Sequence, residues 1–193
     1  MDPLNFSKSD ARKASRAAVR EISERDRETH SASIRLALAN HLHSARGTLL
    51  AFAPLPLEPD LMPLLVQMRQ LKFAFPLVTG EGSMTLHLVE SPDQLTKSTS
   101  PIREPDPLAC PRVAASQVSI ALVPGLAFEP TNGFRLGHGG GFYDRLLANP
   151  SFAAETIGVA FSCQLAVPFP VEHHDQPVSK LLTEKGLCPL GDA

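Results

Sequence analysis

With 193 residues, 43% hydrophobic and 20% charged, the chain has ordinary globular composition and enough length for one domain, residues 1–193, around a sizeable core. A net charge of −2 argues against the broad basic field of a nucleic-acid binder, and no run of roughly 18 apolar residues offers a membrane span. Cys110, Cys163 and Cys188 are odd in number, widely spaced and without a CxxC pair, which argues against a disulfide scaffold or a cysteine-rich zinc site.

Residues 11 to about 45 contain no proline and predict one long helix or two, capped at Ser9 or Asp10 and stopped by Gly47. Val19, Ile22, Ile34, Leu38 and Leu42 recur at helical spacing, while Arg12, Arg16 and Arg20 form a stripe at i, i+4 and i+8. TLLAFA (48–53), a helical stretch from about 58 to 71, KFAFPLV (72–78) and MTLHLV (84–89) then suggest strand, helix and strand units of a parallel sheet. Residues 96–111 are rich in Pro, Ser and Thr and read as an ordered surface excursion or a loop, long for an idle connection. VSIALVPG (118–125) is the most convincing central strand, and ETIGVAF (155–161) is a second buried one. The expected fold is α/β, a three-layer sandwich with a mostly parallel central sheet flanked by helices. Phe73, Phe75, Phe128 and Phe161 are expected in its core.

Between those two strands lies RLGHGGGFYDRLL (135–147), with four of the chain's 12 glycines and its only tyrosine. Gly137, Gly139, Gly140 and Gly141 precede a helix expected to start at Gly141 or Phe142. Backbone N–H groups are exposed at such a junction, and glycine lets them converge on an anion. Arg135 and Arg145 flank the turn and suit phosphate oxygens. The stretch is neither a Walker loop nor a GxGxxG fingerprint, and a tight turn with close packing would use the same glycines. Asp144 beside an anion site suits a bridging Mg²⁺; equally, it is a favourable acid in the first turn of a helix. His138 either touches phosphate or tolerates the turn geometry, and His173 with His174 reads as an exposed pair rather than a metal site.

The run VPGLAFEPTNGFRLGHGGGFYDRLL (123–147) closely resembles the signature of the 5-formyltetrahydrofolate cyclo-ligase family, also called methenyltetrahydrofolate synthetase. Arg12 and Arg16 stand for the family's Lys-x-x-x-Arg pair on the first helix, which implies an ATP-phosphate contact. Glu58 in LPLEPDL matches a folate-binding glutamate; read alone, it is only a dipole-favoured helix acid. Ile102, Glu104 and Pro105 resemble an Ile-x-Glu-Pro segment, and Asp175, Thr183 and Glu184 resemble C-terminal Asp and Thr-Glu pieces. The resemblance implies that Arg135, Gly137, His138, Gly139, Gly140, Gly141, Phe142 and Tyr143 cradle ATP. It further implies that Glu58 and Tyr143 hold the folate, that Arg145 and Asp144 act in catalysis, and that Asp144 and Asp175 hold Mg²⁺. Three positions depart from the pattern: Arg12 in place of a lysine, Phe142 in place of a tyrosine, and Ser179 in place of a second aspartate.

The implied reaction joins ATP and 5-formyltetrahydrofolate in a reducing cytoplasm, with a monomer as the expected state and neither nucleic acid nor membrane as a partner. The competing class is a non-catalytic nucleotide or nucleic-acid binding protein using the basic first helix. Steep salt dependence of binding would mark that class.

Overall fold

A computed structural model describes residues 7–80, 82–97, 102–188 and 190. The expected N-terminal helical region is two helices, α1 (Lys8–Arg20) and α2 (Glu24–His41). Ser7, rather than Ser9 or Asp10, caps α1 by accepting from the Asp10 N–H, and Ser23 opens α2 in the same way toward Asp26. A short strand β1 (Gly47–Leu50) follows, continued by buried Ala51, Phe52 and Ala53. The helix expected over 58–71 is reduced to α3 (Leu64–Gln67). Pro59 and Pro63 lie in this stretch, and proline supplies no N–H for an intrahelical bond.

Strands β2 (Leu71–Thr79) and β3 (Ser83–Leu88) form an antiparallel hairpin. Of the two readings of 96–111, the described residues fit the ordered excursion. It carries β4 (Leu95–Lys97) paired with β5 (Arg103–Pro105), although residues 98–101 lie outside the described ones. Next come β6 (Arg112–Val113), β7 (Val118–Pro124), β8 (Ala127–Phe128) and β9 (Arg135–Leu136). Helix α4 (Phe142–Leu147) and strands β10 (Glu155–Val159), β11 (Lys180–Thr183) and β12 (Gly186–Cys188) complete the order.

Eight strands form one sheet in the order β12-β11-β10-β7-β1-β2-β3-β6. The run from β11 to β2 is parallel, and β12, β3 and β6 add antiparallel edges. Alternation along the strands sends successive side chains to opposite faces. Leu49, Phe73, Ile120 and Ile157 therefore join Ile34 and Leu38 of α2 in one core. Their neighbours Leu50, Ala74, Ala121 and Leu181 pack with Tyr143 and Leu146 of α4 on the other face. Phe73, Phe75, Phe128 and Phe161 are all buried, as their apolar runs predict. Helices thus flank both faces of a mostly parallel sheet. Among the described residues no helix is long and apolar enough to cross a membrane.

Candidate active site

Parallel strands place their C-terminal ends at one edge of the sheet, where ligands of open α/β folds bind. Here β1 delivers Phe52 and Ala53 to that edge and β7 delivers Pro124. The bend after β7 is held by buried Gln164, whose side-chain N–H groups donate to Gly125 O at 2.9 Å and Leu126 O at 2.8 Å. The Ser15 hydroxyl of α1 also donates to Leu126 O. Antiparallel pairing of β8 with β9 then sets Arg135, only 4% exposed, opposite Phe128.

After β9 the backbone turns through Gly139 at φ 113° and Gly141 at φ 65°. Both values lie in the region that favours glycine. Gly141 also serves as the N-cap of α4, and no side chain caps that end. First-turn N–H groups are thus left for another acceptor.

Two cavities share this turn. The first is largely apolar, walled by Phe52, Leu55, Val78, Met84 and Pro124 and carrying Glu58, His138 and Tyr143. The second is a polar groove with Lys8, Arg12, Gly139, Glu172, His174 and Asp175. Arg135, Gly137, Gly141 and Asp144 line both, forming the partition between them.

Charge across the partition is tightly paired. Arg135 Nη1 donates to Asp144 Oδ1 at 2.8 Å and to Gln176 O at 3.1 Å, and the Gln176 N–H donates to the same Asp144 oxygen at 3.2 Å. Arg135 Nε and the Tyr143 hydroxyl are buried without a hydrogen-bond partner among the described residues. Buried polar groups ordinarily have partners, so both are candidates for a ligand atom. Burial, and secondarily the Glu58 carboxylate, push the Tyr143 phenol above its ordinary range; the Arg135 cation opposes this only in part. The hydroxyl therefore remains a donor.

In the groove, Lys8 Nζ donates to both Asp175 oxygens, at 2.9 and 2.8 Å. Burial raises the Asp175 carboxyl, but Lys8 and the Glu172 N–H outweigh it and hold the group below its usual range. Arg12 Nε donates to Gly137 O at 2.9 Å. On the pocket side, His138 Nε2 lies 3.0 Å from Glu58 Oε1, and the Leu55 N–H donates to Glu58 Oε2 at 2.9 Å. A carboxylate only accepts, so Nε2 carries the hydrogen of that contact.

Residues 5–184 match the 5-formyltetrahydrofolate cyclo-ligase family. The chain belongs to that family. The 5-formyltetrahydrofolate cyclo-ligase of Mycolicibacterium smegmatis is 31% identical over 185 residues, spanning 93% of this chain and 94% of that one. The Escherichia coli K12 enzyme of the same name is 41% identical over 69 residues, 35% of this chain and 37% of its own. Among solved structures, the NMR structure of Aquifex aeolicus 5,10-methenyltetrahydrofolate synthetase superposes with a TM-score of 0.81 at 32% identity, covering 96% and 94% of the two chains. The 5,10-methenyltetrahydrofolate synthetase from Mycoplasma pneumoniae, at TM-score 0.74 and 19% identity over 95% and 99%, shares the fold. The protein is thus an enzyme, a ligase of folate metabolism.

Within this cyclo-ligase fold, Glu58, Arg135, Gly137, His138, Gly140, Gly141, Phe142, Tyr143 and Asp144 gather around the first pocket. Asp144 and Asp175 meet in the groove. His138 belongs to the pocket side, in contact with Glu58. Two placements differ from the expectation. Arg16 lines neither cavity. Lys8 and Arg12, which stand at the same Lys-x-x-x-Arg spacing, both line the groove. Each step of four residues advances about 6 Å along a helix, which carries Arg16 one turn farther along α1.

Arg145 turns away from both cavities. Its Nε donates to Gly82 O and its Nη2 to Gly140 O, each at 2.7 Å, with the guanidinium 5.3 Å from the Phe142 ring centre. It ties the glycine turn to the β2–β3 hairpin and stacks on the ring that replaces the family tyrosine. Ser179 donates to Thr156 O at 2.7 Å and serves the sheet edge. Glu184 accepts from the Ser162 N–H at 2.9 Å, and Thr183 is buried in β11. Ile102 and Glu104 are in the pocket wall. His173 and His174 are exposed, and no group of three or more His, Cys, Asp or Glu side chains among the described residues is arranged to hold a metal. Burial pushes the Cys110 and Cys163 thiols up, away from nucleophilic use.

Proposed function

We propose that the chain converts 5-formyltetrahydrofolate and ATP to 5,10-methenyltetrahydrofolate, ADP and phosphate. The observation that supports this best is the common wall of Arg135, Gly137, Gly141 and Asp144 between an apolar pocket and a cation-lined groove. A folate in the first and a triphosphate in the second would meet at that wall.

A formamide carbon is a weak electrophile and its oxygen a poor leaving group. The formyl oxygen attacks the γ-phosphorus, an O–P bond forms, and the bond to the β,γ-bridging oxygen breaks with its electron pair leaving on ADP. N10 then attacks the activated formyl carbon, the C–O bond to phosphate breaks, and the N10 proton passes to solvent. Because the substrate contains both the phosphoryl acceptor and the nucleophile, the protein's work is alignment and charge stabilisation.

Lys8 and Arg12 offer cations to the phosphates, and the turn offers backbone N–H groups. Arg135 stands where charge develops between the substrates. Glu58 accepts from pterin N–H groups, while the Tyr143 hydroxyl donates to a folate oxygen. Asp144 fits one Mg²⁺ contact, since its Oδ1 takes both protein donors and its Oδ2 takes none among the described residues. Both oxygens of Asp175 are occupied by Lys8, so this residue fits the ion only if Lys8 turns to phosphate. Mg²⁺ commonly uses one or two carboxylates with phosphate and water, and when bound it offsets negative charge on the phosphoryl group.

The free cysteines suit a reducing cytoplasm, and a monomer acting on small molecules, without nucleic acid or membrane, completes the reading. The test is absorbance of the methenyl product from purified protein, 5-formyltetrahydrofolate and Mg²⁺, with and without ATP. An ATP-dependent rise supports the proposal; folded, ATP-binding protein that gives none overturns it.

A further inference from the structure

Register pairs Lys97 of β4 directly with Arg103 of β5. Directly opposed residues of an antiparallel pair project to the same face, so two cations stand side by side. The arrangement is costly unless an anion lies between or beside them. Among the described residues none does so: the Lys and Arg ion pairs there involve Lys8, Lys13, Arg35, Arg135 and Lys180. Glu104, next in sequence to Arg103, pairs with Thr96 in the ladder and directs Oε1 to the Val78 N–H at 3.0 Å.

The location is specific. On the same face, the preceding cross-strand pair, Leu95 and Pro105, is buried, which anchors this end of the hairpin to the body of the protein. Arg103 is half-buried and lines the apolar pocket, while Lys97 is exposed beside it. The pocket's other carboxylates, Glu58 and Asp144, already take donors from His138, Leu55, Arg135 and Gln176. Two cations with no ion-pair partner among the described residues thus stand in and beside the wall of the pocket, separate from the groove that holds Lys8 and Arg12.

We infer that Arg103 and Lys97 bind the glutamate carboxylates of the folate and set its preference for tail length. This rests on the apolar pocket being the folate site. A planar guanidinium pairs bidentately with one carboxylate, and an exposed ammonium reaches a further one on a mobile γ-linked chain. The pterin and formyl group lie at the partition, and the tail leaves past β5.

The test compares KM for three substrates: 5-formyltetrahydrofolate with one glutamate, its triglutamate, and the 5-formyltetrahydropteroyl methylamide, which keeps N10 but lacks both glutamate carboxylates. Arg103→Gln is expected to raise KM for the monoglutamate roughly tenfold, as for loss of one charge-assisted hydrogen bond, with kcat and the KM for ATP within about twofold. The same variant should shift KM for the methylamide less than about twofold. Lys97→Glu, on an exposed side chain, should raise KM for the triglutamate more than for the monoglutamate. Equal KM increases for all three substrates, or none, would overturn the subsite. Wild-type protein that turns over none of them would instead overturn the cyclisation reading itself.

Discussion

Asp144→Ala removes the counter-charge of an arginine whose side chain is only 2% exposed. Two unit charges about 4 Å apart interact by about 4 kcal/mol at an effective dielectric of about 20, and stripping one partner from a buried pair costs about 3–5 kcal/mol. The Asp144 side chain is 18% exposed, which admits some solvent and places the expected loss near the lower end, about 3 kcal/mol. Asp144→Asn keeps Oδ1 as acceptor for Arg135 Nη1 and the Gln176 N–H and loses only the charge, so about 1–1.5 kcal/mol is expected. Urea unfolding at neutral pH gives both values, and Tm should fall by roughly 2–4 °C per kcal/mol for a chain of this size. Turnover should separate from stability. The asparagine variant, largely folded, should lose about 100-fold in turnover and require more Mg²⁺ for half-maximal rate, the scale of removing one electrostatic group from a transition state. An asparagine variant with wild-type kinetics across a Mg²⁺ titration would refute the assignment. Stabilities of both variants within about 0.5 kcal/mol of wild type would refute the desolvated ion pair.

The Glu58–His138 contact predicts coupling: His138→Ala should raise KM for the folate about fivefold with little change in kcat, for loss of one hydrogen bond that orients the carboxylate. In a Glu58→Ala background the same change should have no further effect, and His138→Gln should restore most of the loss; additive effects would refute the coupling. Gly139→Val puts a β-branched residue at φ 113°, so ATP affinity measured by calorimetry should fall at least tenfold, the equivalent of roughly 1–3 kcal/mol of backbone strain. Unchanged affinity would reduce the turn to a connector. Lys8→Met should destabilise the protein at pH 7 by roughly 2 kcal/mol, between the values for exposed and buried pairs. Asp175 is depressed in the folded state, so its stabilisation is present above the unfolded carboxyl value of about 3.9 and is lost as pH falls through the lower folded value. The difference between variant and wild type should therefore close in acid unfolding profiles below about pH 4, and a constant difference would contradict the pairing.

Local sequence was sufficient wherever the chain's own periodicity or covalent geometry sets the outcome. The near-continuous apolar runs VSIALVP and ETIGV required strands buried on both sides, and the glycines of 137–141 required a turn that brings Tyr143 and Asp144 beside Arg135. The helical pattern before Gly47 was equally plain, and Ser23 with Asp26 marks where it divides. The proline series that reduces the helix over 58–71 to Leu64–Gln67 was also local, but the apolar residues around it repeat at a spacing that either structure accommodates.

Partners brought together by folding were beyond that reach. Lys8 meets Asp175 across 167 residues, and only the docking of α1 decides that its first two turns, rather than Arg16, face the groove. His138 turns to Glu58, 80 residues away, and Arg145 turns to Gly82, 63 residues away, although both sit in or beside the same glycine turn. Short-range sterics set the backbone of that turn, while the direction of each long side chain depends on which donor or acceptor the packed layers bring within about 3 Å. The sequence by itself therefore determined the central strands, the flanking N-terminal helices and the position of the glycine turn. Tertiary structure alone divided its polar residues between pocket and groove, because hydrogen-bond partners are chosen by distance in space and not along the chain.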